Sequence, residues 1–207
     1  MCGIFGYIGH QQALPILVEG LRRLEYRGYD STGVAVDDGS QVQTHKTVGK
    51  VADLKAILPK SVSGTRGIAH TRWATHGGVT QVNTHPHVSA DGAIHLVHNG
   101  IIENYSSLKT ILQKRGYKFK SETDTEVLAH LIDDMMKTHD KCTLPQAVSL
   151  ACSQVEGTFG IAVVSSKYPN LLVGARRGSP LIVGVAKGEY FVSSDASAIV
   201  DYTSDVI

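Results

Sequence analysis

An α+β fold is what this 207-residue sequence predicts. Strand-like apolar runs crowd both ends of the chain, helical periodicities are grouped between them, and no βαβ alternation appears. There is no internal repeat, low-complexity tract or linker. That implies one domain, large enough to bury a core without staples.

Cys2 to Ile8 is a continuous apolar run closed by Gly9 and reads as a buried strand. From Ala13 the period lengthens. Leu14, Leu17, Val18, Leu21 and Leu24 fall on one helical face, with Arg22 and Arg23 opposite and Gly28 as the stop. Strands over 32–36 and 41–47 flank the turn residues Asp37-Asp38-Gly39. A short helix over 51–58 ends at Pro59. Two further strands, 67–73 and 94–98, are separated by a polar loop over 74–91 rich in His, Thr, Asn and Gly. Its length and polarity make it a candidate lid. Helices follow at 106–114, 125–137 and 144–155. The second carries Thr123 and Glu126 at capping-box spacing, and the third has Pro145 in its first turn. Strands at 158–165, 171–175, 181–186 and 190–193 complete the chain.

Composition narrows the function classes. Lys plus Arg number 20 and Asp plus Glu 19, so no charge imbalance points to nucleic acid or an acidic membrane surface. No apolar run approaches the ~20 residues of a membrane span, and no cleavable signal is expected at a start this short in apolar residues. The three cysteines, Cys2, Cys142 and Cys152, form no CxxC pair and cannot all be bridged. A reducing, cytoplasmic setting is expected.

Several spots carry chemistry. Cys2 stands directly behind Met1. With Met1 removed, one residue would offer a thiol and an α-amine whose pKa of roughly 7.7–8.0 suits it to take the thiol's proton. A packed cysteine in a first strand is the alternative. Arg72, at a strand end, offers a donor fork matched to a carboxylate, or is a structural surface arginine. Asn99-Gly100 is either an oxyanion hole or a turn dipeptide. Asp124 either holds an ammonium or complements a helix N-terminus. Six of the ten histidines (His70, His76, His85, His87, His95 and His98) fall in one stretch. No HExxH or Cys-His spacing accompanies them, so no metal and no cofactor are expected. P-loop and GxGxxG patterns are absent, and Ser31 and Ser179 lack a GxSxG context.

The order of these features resembles the class II glutamine amidotransferases, which are N-terminal-nucleophile hydrolases. The local wording is similar to the glucosamine-6-phosphate synthase branch. It runs through Leu21-Arg22-Arg23-Leu24-Glu25-Tyr26-Arg27-Gly28-Tyr29-Asp30-Ser31, residues 67–77, His85-Pro86-His87, residues 97–104 and residues 121–127. The resemblance implies a four-layer αββα sandwich. It also implies hydrolysis of L-glutamine to glutamate and ammonia through a γ-glutamyl thioester on Cys2, with Asn99 and Gly100 as the oxyanion hole. Arg72 would bind the substrate α-carboxylate and Asp124 its α-ammonium. Trp73, Thr75, His76 and His85 would shape the pocket, and Arg27 would support the Cys2 end. Residues 2–207 would be a glutaminase domain whose full-length parent continues into sugar-phosphate isomerase domains and forms a homo-oligomer. The remaining alternatives are the glutaminase domain of another class II amidotransferase and a non-catalytic glutamine- or metal-binding module.

Overall fold

The computed structural model describes residues 2–59, 62–74 and 77–207. The chain runs β1 (Gly3–Ile8), α1 (Ala13–Leu24), β2 (Ser31–Asp37), β3 (Val42–Val48), α2 (Val51–Ile57), β4 (Arg66–Arg72), β5 (His87–Val88) and β6 (Ile94–Ile102). It continues α3 (Tyr105–Lys114), α4 (Thr125–Thr138), α5 (Leu144–Gln154), β7 (Gly157–Ser165), β8 (Leu172–Arg177), β9 (Ile182–Ala186) and β10 (Glu189–Ser193). Single 3-10 turns lie at Glu25–Arg27 and Ala196–Ala198.

These strands form two sheets, ordered β3-β2-β4-β1-β10-β9 and β5-β6-β7-β8, and every strand pairing is antiparallel. Strand period explains the layers, because successive side chains point to opposite faces. In the six-stranded sheet, Phe5, Tyr7, Val34, Val36 and Ala69 turn outward onto Leu17, Leu21 and Leu24 of α1 and Leu54 of α2. Their neighbours Ile4, Ala35 and Ile68 turn inward, meeting Val97, Ala162 and Val164 of the other sheet. The outer face of that second sheet, Ile94, Leu96, Ile161 and Val163, packs against α3, α4 and α5. The result is the expected helix–sheet–sheet–helix sandwich.

Strand β4 shows what one inward face can carry. Arg66, Ile68 and His70 alternate along it, and Arg72 ends it. At one end Arg66 pairs with Asp37, both buried, and donates to the carbonyl of Ser165 at 3.0 Å in the opposite sheet. The middle is core. The other end, with His70 and Arg72, is polar and belongs to the site.

Several boundaries and caps differ from expectation. Strand β6 runs past His98 through Asn99 and Gly100 to Ile102, since Asn99 pairs with Gly160 and Gly100 with Phe159 on β7. The turn alternative for Asn99-Gly100 is thereby excluded. The capping box expected at Thr123 and Glu126 does not form. Helix α4 starts at Thr125, and the Glu126 carboxylate instead accepts from the backbone N–H groups of Lys120 (2.9 Å) and Ser121 (2.6 Å). A capping box does form at α5, between Thr143 and Gln146.

The loop between β4 and β6 is less lid-like than its composition implies. Asn83, Thr84, His85 and His87 are buried, and Lys46 donates to the carbonyl of Thr84 at 2.8 Å. The chain passes across β2 at Gly33, where a Cβ would lie 2.1 Å from the His85 carbonyl oxygen, so only glycine leaves room there. Residues 80–91 are thus part of the fold, and strand β5 lies among them.

Candidate functional site

Cys2 immediately precedes β1. Gly3 pairs with Thr71 and Ile4 with His70, which brings Cys2 to the end of β4. Its Sγ accepts from the Trp73 N–H at 3.3 Å and is 3.5 Å from the Trp73 carbonyl oxygen. The Cys2 carbonyl accepts from Arg27 Nε at 3.0 Å and from Asn99 Nδ2 at 3.1 Å. Asn99 comes from the second sheet, so this contact spans the sandwich. Burial pushes the Cys2 thiol up from its ordinary value, opposed by the Trp73 N–H and the Arg72 charge. A thiol in that state needs a base to become a nucleophile.

Arg27 is held in turn. Its guanidinium pairs with Asp195 at 3.1 Å, and the Tyr26 hydroxyl donates to the same carboxylate at 2.8 Å. Asp195 precedes the Ala196–Ala198 turn behind β10, so the last strand of the chain secures the first. Asp30 secures the other side. Its carboxylate accepts from the Ala74 N–H at 2.5 Å and from the Ser31 hydroxyl at 3.1 Å, which anchors the chain at Ala74. Neither Asp30 nor Asp195 was expected at the site. Asp30 does lie inside the Arg27–Ser31 wording quoted above, whereas nothing in the sequence around Asp195 marks it.

Gly100 follows Asn99 with φ +135°, and a Cβ there would sit 2.1 Å from the Thr158 carbonyl oxygen. Both its conformation and its surroundings require glycine. Arg72 is buried and donates to the carbonyls of Gly78 (3.2 Å) and Gly77 (3.4 Å). Trp73 is 48% exposed, with its ring edge-on to Tyr29 at 5.6 Å. Asp124 is buried just before α4, and its Oδ2 accepts from the Ile102 N–H at 2.8 Å, two residues beyond Gly100. The structure therefore gathers Cys2, Arg27, Arg72, Trp73, Asn99, Gly100 and Asp124 around one end of the two sheets. Thr75 and His76 lie outside the described residues.

His85 is not at a surface. It is buried behind the site, stacked on His70 at 4.1 Å, edge-on to His87 at 4.7 Å, with Nε2 3.0 Å from Thr125 Oγ1. His98 Nδ1 reaches the same hydroxyl at 2.9 Å, and His87 Nε2 reaches Thr123 Oγ1 at 3.0 Å. Burial pushes His70 and His87 down to about 3 and His85 well below its ordinary value, so all three rings are neutral. Their partners are hydroxyls, an amide and a carbonyl. Among the described residues, no group of three His, Cys, Asp or Glu side chains is disposed to hold a metal ion.

The arrangement places a thiol beside amide donors, with a buried cation and a buried anion at the same end of the sheets. Residues 70–201 match the family described as Glutamine amidotransferase domain. Over its full length the chain is 53% identical to a glutamine–fructose-6-phosphate aminotransferase (isomerizing) of Bacteroides thetaiotaomicron. It is 52% identical to the same-named protein of Chlorobaculum tepidum. In both cases it spans 34% of the relative's length. Among solved structures, a glutamine phosphoribosylpyrophosphate amidotransferase from B. subtilis superposes with a TM-score of 0.83 at 29% identity. That match covers 96% of this chain and 43% of the other.

Proposed function

The chain belongs to the glutamine amidotransferase domain family, and from that premise we propose that residues 2–207 form a glutaminase domain in which Cys2 is the nucleophile. The α-amine exposed by loss of Met1 takes the thiol proton, and Sγ attacks the side-chain carbonyl carbon of glutamine. The carbonyl π electrons move to oxygen, and the resulting oxyanion is met by Asn99 Nδ2 and the Gly100 N–H. As the tetrahedral state collapses, the C–N bond breaks, and the protonated amine gives its proton to the leaving ammonia. Water then adds to the γ-glutamyl thioester with the same amine as base, releasing glutamate and restoring the thiol.

The observation that carries this reading is the Asn99 contact. An amide nitrogen has two donors, and one is already on the Cys2 carbonyl at 3.1 Å, which leaves the second beside the nucleophile. Arg72 and Asp124 supply opposite charges for the α-carboxylate and α-ammonium. Trp73 lies beside the thiol and Arg27 holds the Cys2 end; Thr75 and His76 are assigned to the pocket by the family resemblance alone. His85, stacked on His70 and tied to Thr125, would help shape the pocket from its buried side.

In a longer protein like the relatives, the ammonia would be used by further domains to convert fructose-6-phosphate to glucosamine-6-phosphate. The proposal is tested by glutamate release from glutamine, asparagine and simple amides. Cys2→Ala is expected to abolish release while leaving the circular dichroism spectrum and melting temperature unchanged. Release retained in that variant would refute the assignment.

A further inference from the structure

We propose that His70 orients the Asn99 amide, deciding which end of it faces Cys2; the inference rests on the reading of Asn99 as an oxyanion donor. His70 Nε2 lies 3.0 Å from Asn99 Oδ1 and 3.0 Å from the His98 carbonyl oxygen. Both partners are acceptors, so Nε2 carries the ring proton. Nδ1 has no hydrogen-bond partner among the described residues and keeps its lone pair, the less costly end to leave bare. The neutral Nε2–H tautomer is therefore set by geometry, and deep burial keeps the ring from taking a second proton.

The consequence is a choice between two amide orientations. With Oδ1 on His70, Nδ2 points across the sandwich to the Cys2 carbonyl at 3.1 Å. A flipped amide would set NH2 against the His70 N–H and turn an acceptor toward the developing oxyanion, the reverse of what the reaction needs. His70 is itself fixed. It lies on the inward face of β4, and its ring stacks on His85 at 4.1 Å with 26° between the planes. His85 is tied to Thr125 Oγ1, which also lies 3.4 Å from Asp124 Oδ1. One buried aromatic stack thus braces both the oxyanion donor and the residue assigned to the substrate ammonium. His70 reaches the reaction only through Asn99 and is a positioning residue.

The test uses this chain hydrolysing glutamine, with His70→Leu, His70→Gln, Asn99→Ala and the double variant His70→Leu/Asn99→Ala. Losing an oxyanion donor costs about 10²–10³ in kcat, so a misoriented one is expected to cost about 10–100-fold in His70→Leu, with KM moved by less than about threefold. His70→Gln, which keeps an N–H donor, recovers most of that loss. Alkylation of Cys2 by iodoacetamide proceeds at the wild-type rate in His70→Leu, since making the nucleophile does not need the oxyanion hole.

The double variant falls no lower than Asn99→Ala alone, because the two residues act as one unit. A wild-type kcat in His70→Leu, or multiplicative losses in the double variant, overturns the proposal. Full activity in Asn99→Ala overturns the oxyanion reading itself, which separates the two failures. Nitrogen NMR of the wild-type ring gives an answer that needs no variant to fold. The expected spectrum is an Nε2–H tautomer that does not titrate between pH 5 and 8, and an Nδ1–H or titrating ring contradicts the assignment.

Discussion

Arg72 and Asp124 are parts of the frame as well as of the proposed site. Arg72 donates to the carbonyls of Gly77 and Gly78, and Asp124 accepts from the Ile102 N–H. Each has its position set by backbone partners before any ligand arrives, which lowers the ordering cost of binding. Charged hydrogen bonds are worth about 1.5–3 kcal/mol, so Arg72→Ala and Asp124→Asn should each lower kcat/KM for glutamine by about 10–150-fold. Steady-state kinetics on glutamine checks this, and an unchanged constant in both variants would remove the α-amino-acid pocket from the account. Arg72→Lys should not restore the loss, because a point charge cannot replace a planar fork.

The sequence made the identities of these residues legible, but not the way they meet. A strand period of two puts Arg66, Ile68, His70 and Arg72 on one face of β4, yet it cannot say which residues of another sheet stand opposite. The pairing of His70 with Asn99 exists only because two sheets stack. The burial of His85 was hidden for the same reason. A histidine in a polar stretch looks exposed until the close approach at Gly33 folds its segment between the sheets.

At the level of elements, long periodic segments were readable and short or paired ones were not. Helix α1 has a full apolar stripe, and α5 has Pro145 in its first turn, so both emerged near their observed limits. Strand β5 has two residues and can show no period. The end of β6 was cut short because Asn-Gly is a strong local turn signal, and tertiary pairing with β7 overrides it. Helix caps misled in both directions. Glu126 reaches back to Lys120 and Ser121, beyond the capping position, whereas Thr143 and Gln146 make the box that went unread. Thr143→Ala should destabilise the fold by about 0.5–2 kcal/mol with kcat/KM unchanged, since α5 packs on the outer face of the second sheet, away from Cys2. Urea unfolding monitored by circular dichroism measures the loss, and a fall in activity matching it would mean α5 is coupled to the site.

The whole molecule carries its polar chemistry between two sheets, and acid should expose that arrangement. His70 and His87 are pushed down to about 3 and His85 well below its ordinary value, chiefly by burial, with the Lys46 charge adding at His87. The unfolded chain takes up protons on these rings below pH about 6.5 while the folded chain does not. Their contribution is therefore complete above that pH and is lost progressively toward pH 3. The slope is about 1.4 kcal/mol per pH unit per ring, or about 4 kcal/mol per unit for the three. Glu126, whose burial is outweighed by the His130 ring 3.5 Å away and by hydrogen bonds from Ser121 and Lys120 that hold it at about 2, adds its own loss only at lower pH. Urea midpoints should thus fall steadily between pH 6.5 and 5, where carboxylates are still ionised. Midpoints flat to pH 5 would mean these imidazoles are not buried neutral.

Cys2 is where the proposed reaction begins: its thiol is raised by burial and touched by the Trp73 N–H, and in the proposal its own amine activates it. The most direct measurement is mass mapping of the chain after one turnover-scale exposure to a glutamine analogue bearing an electrophile at the γ position. The expected product is an N-terminal peptide that begins at Cys2 and carries one adduct, with Cys142 and Cys152 unmodified and glutaminase activity lost in step with labelling. An adduct on another cysteine, or full activity in a chain that retains Met1, would contradict it.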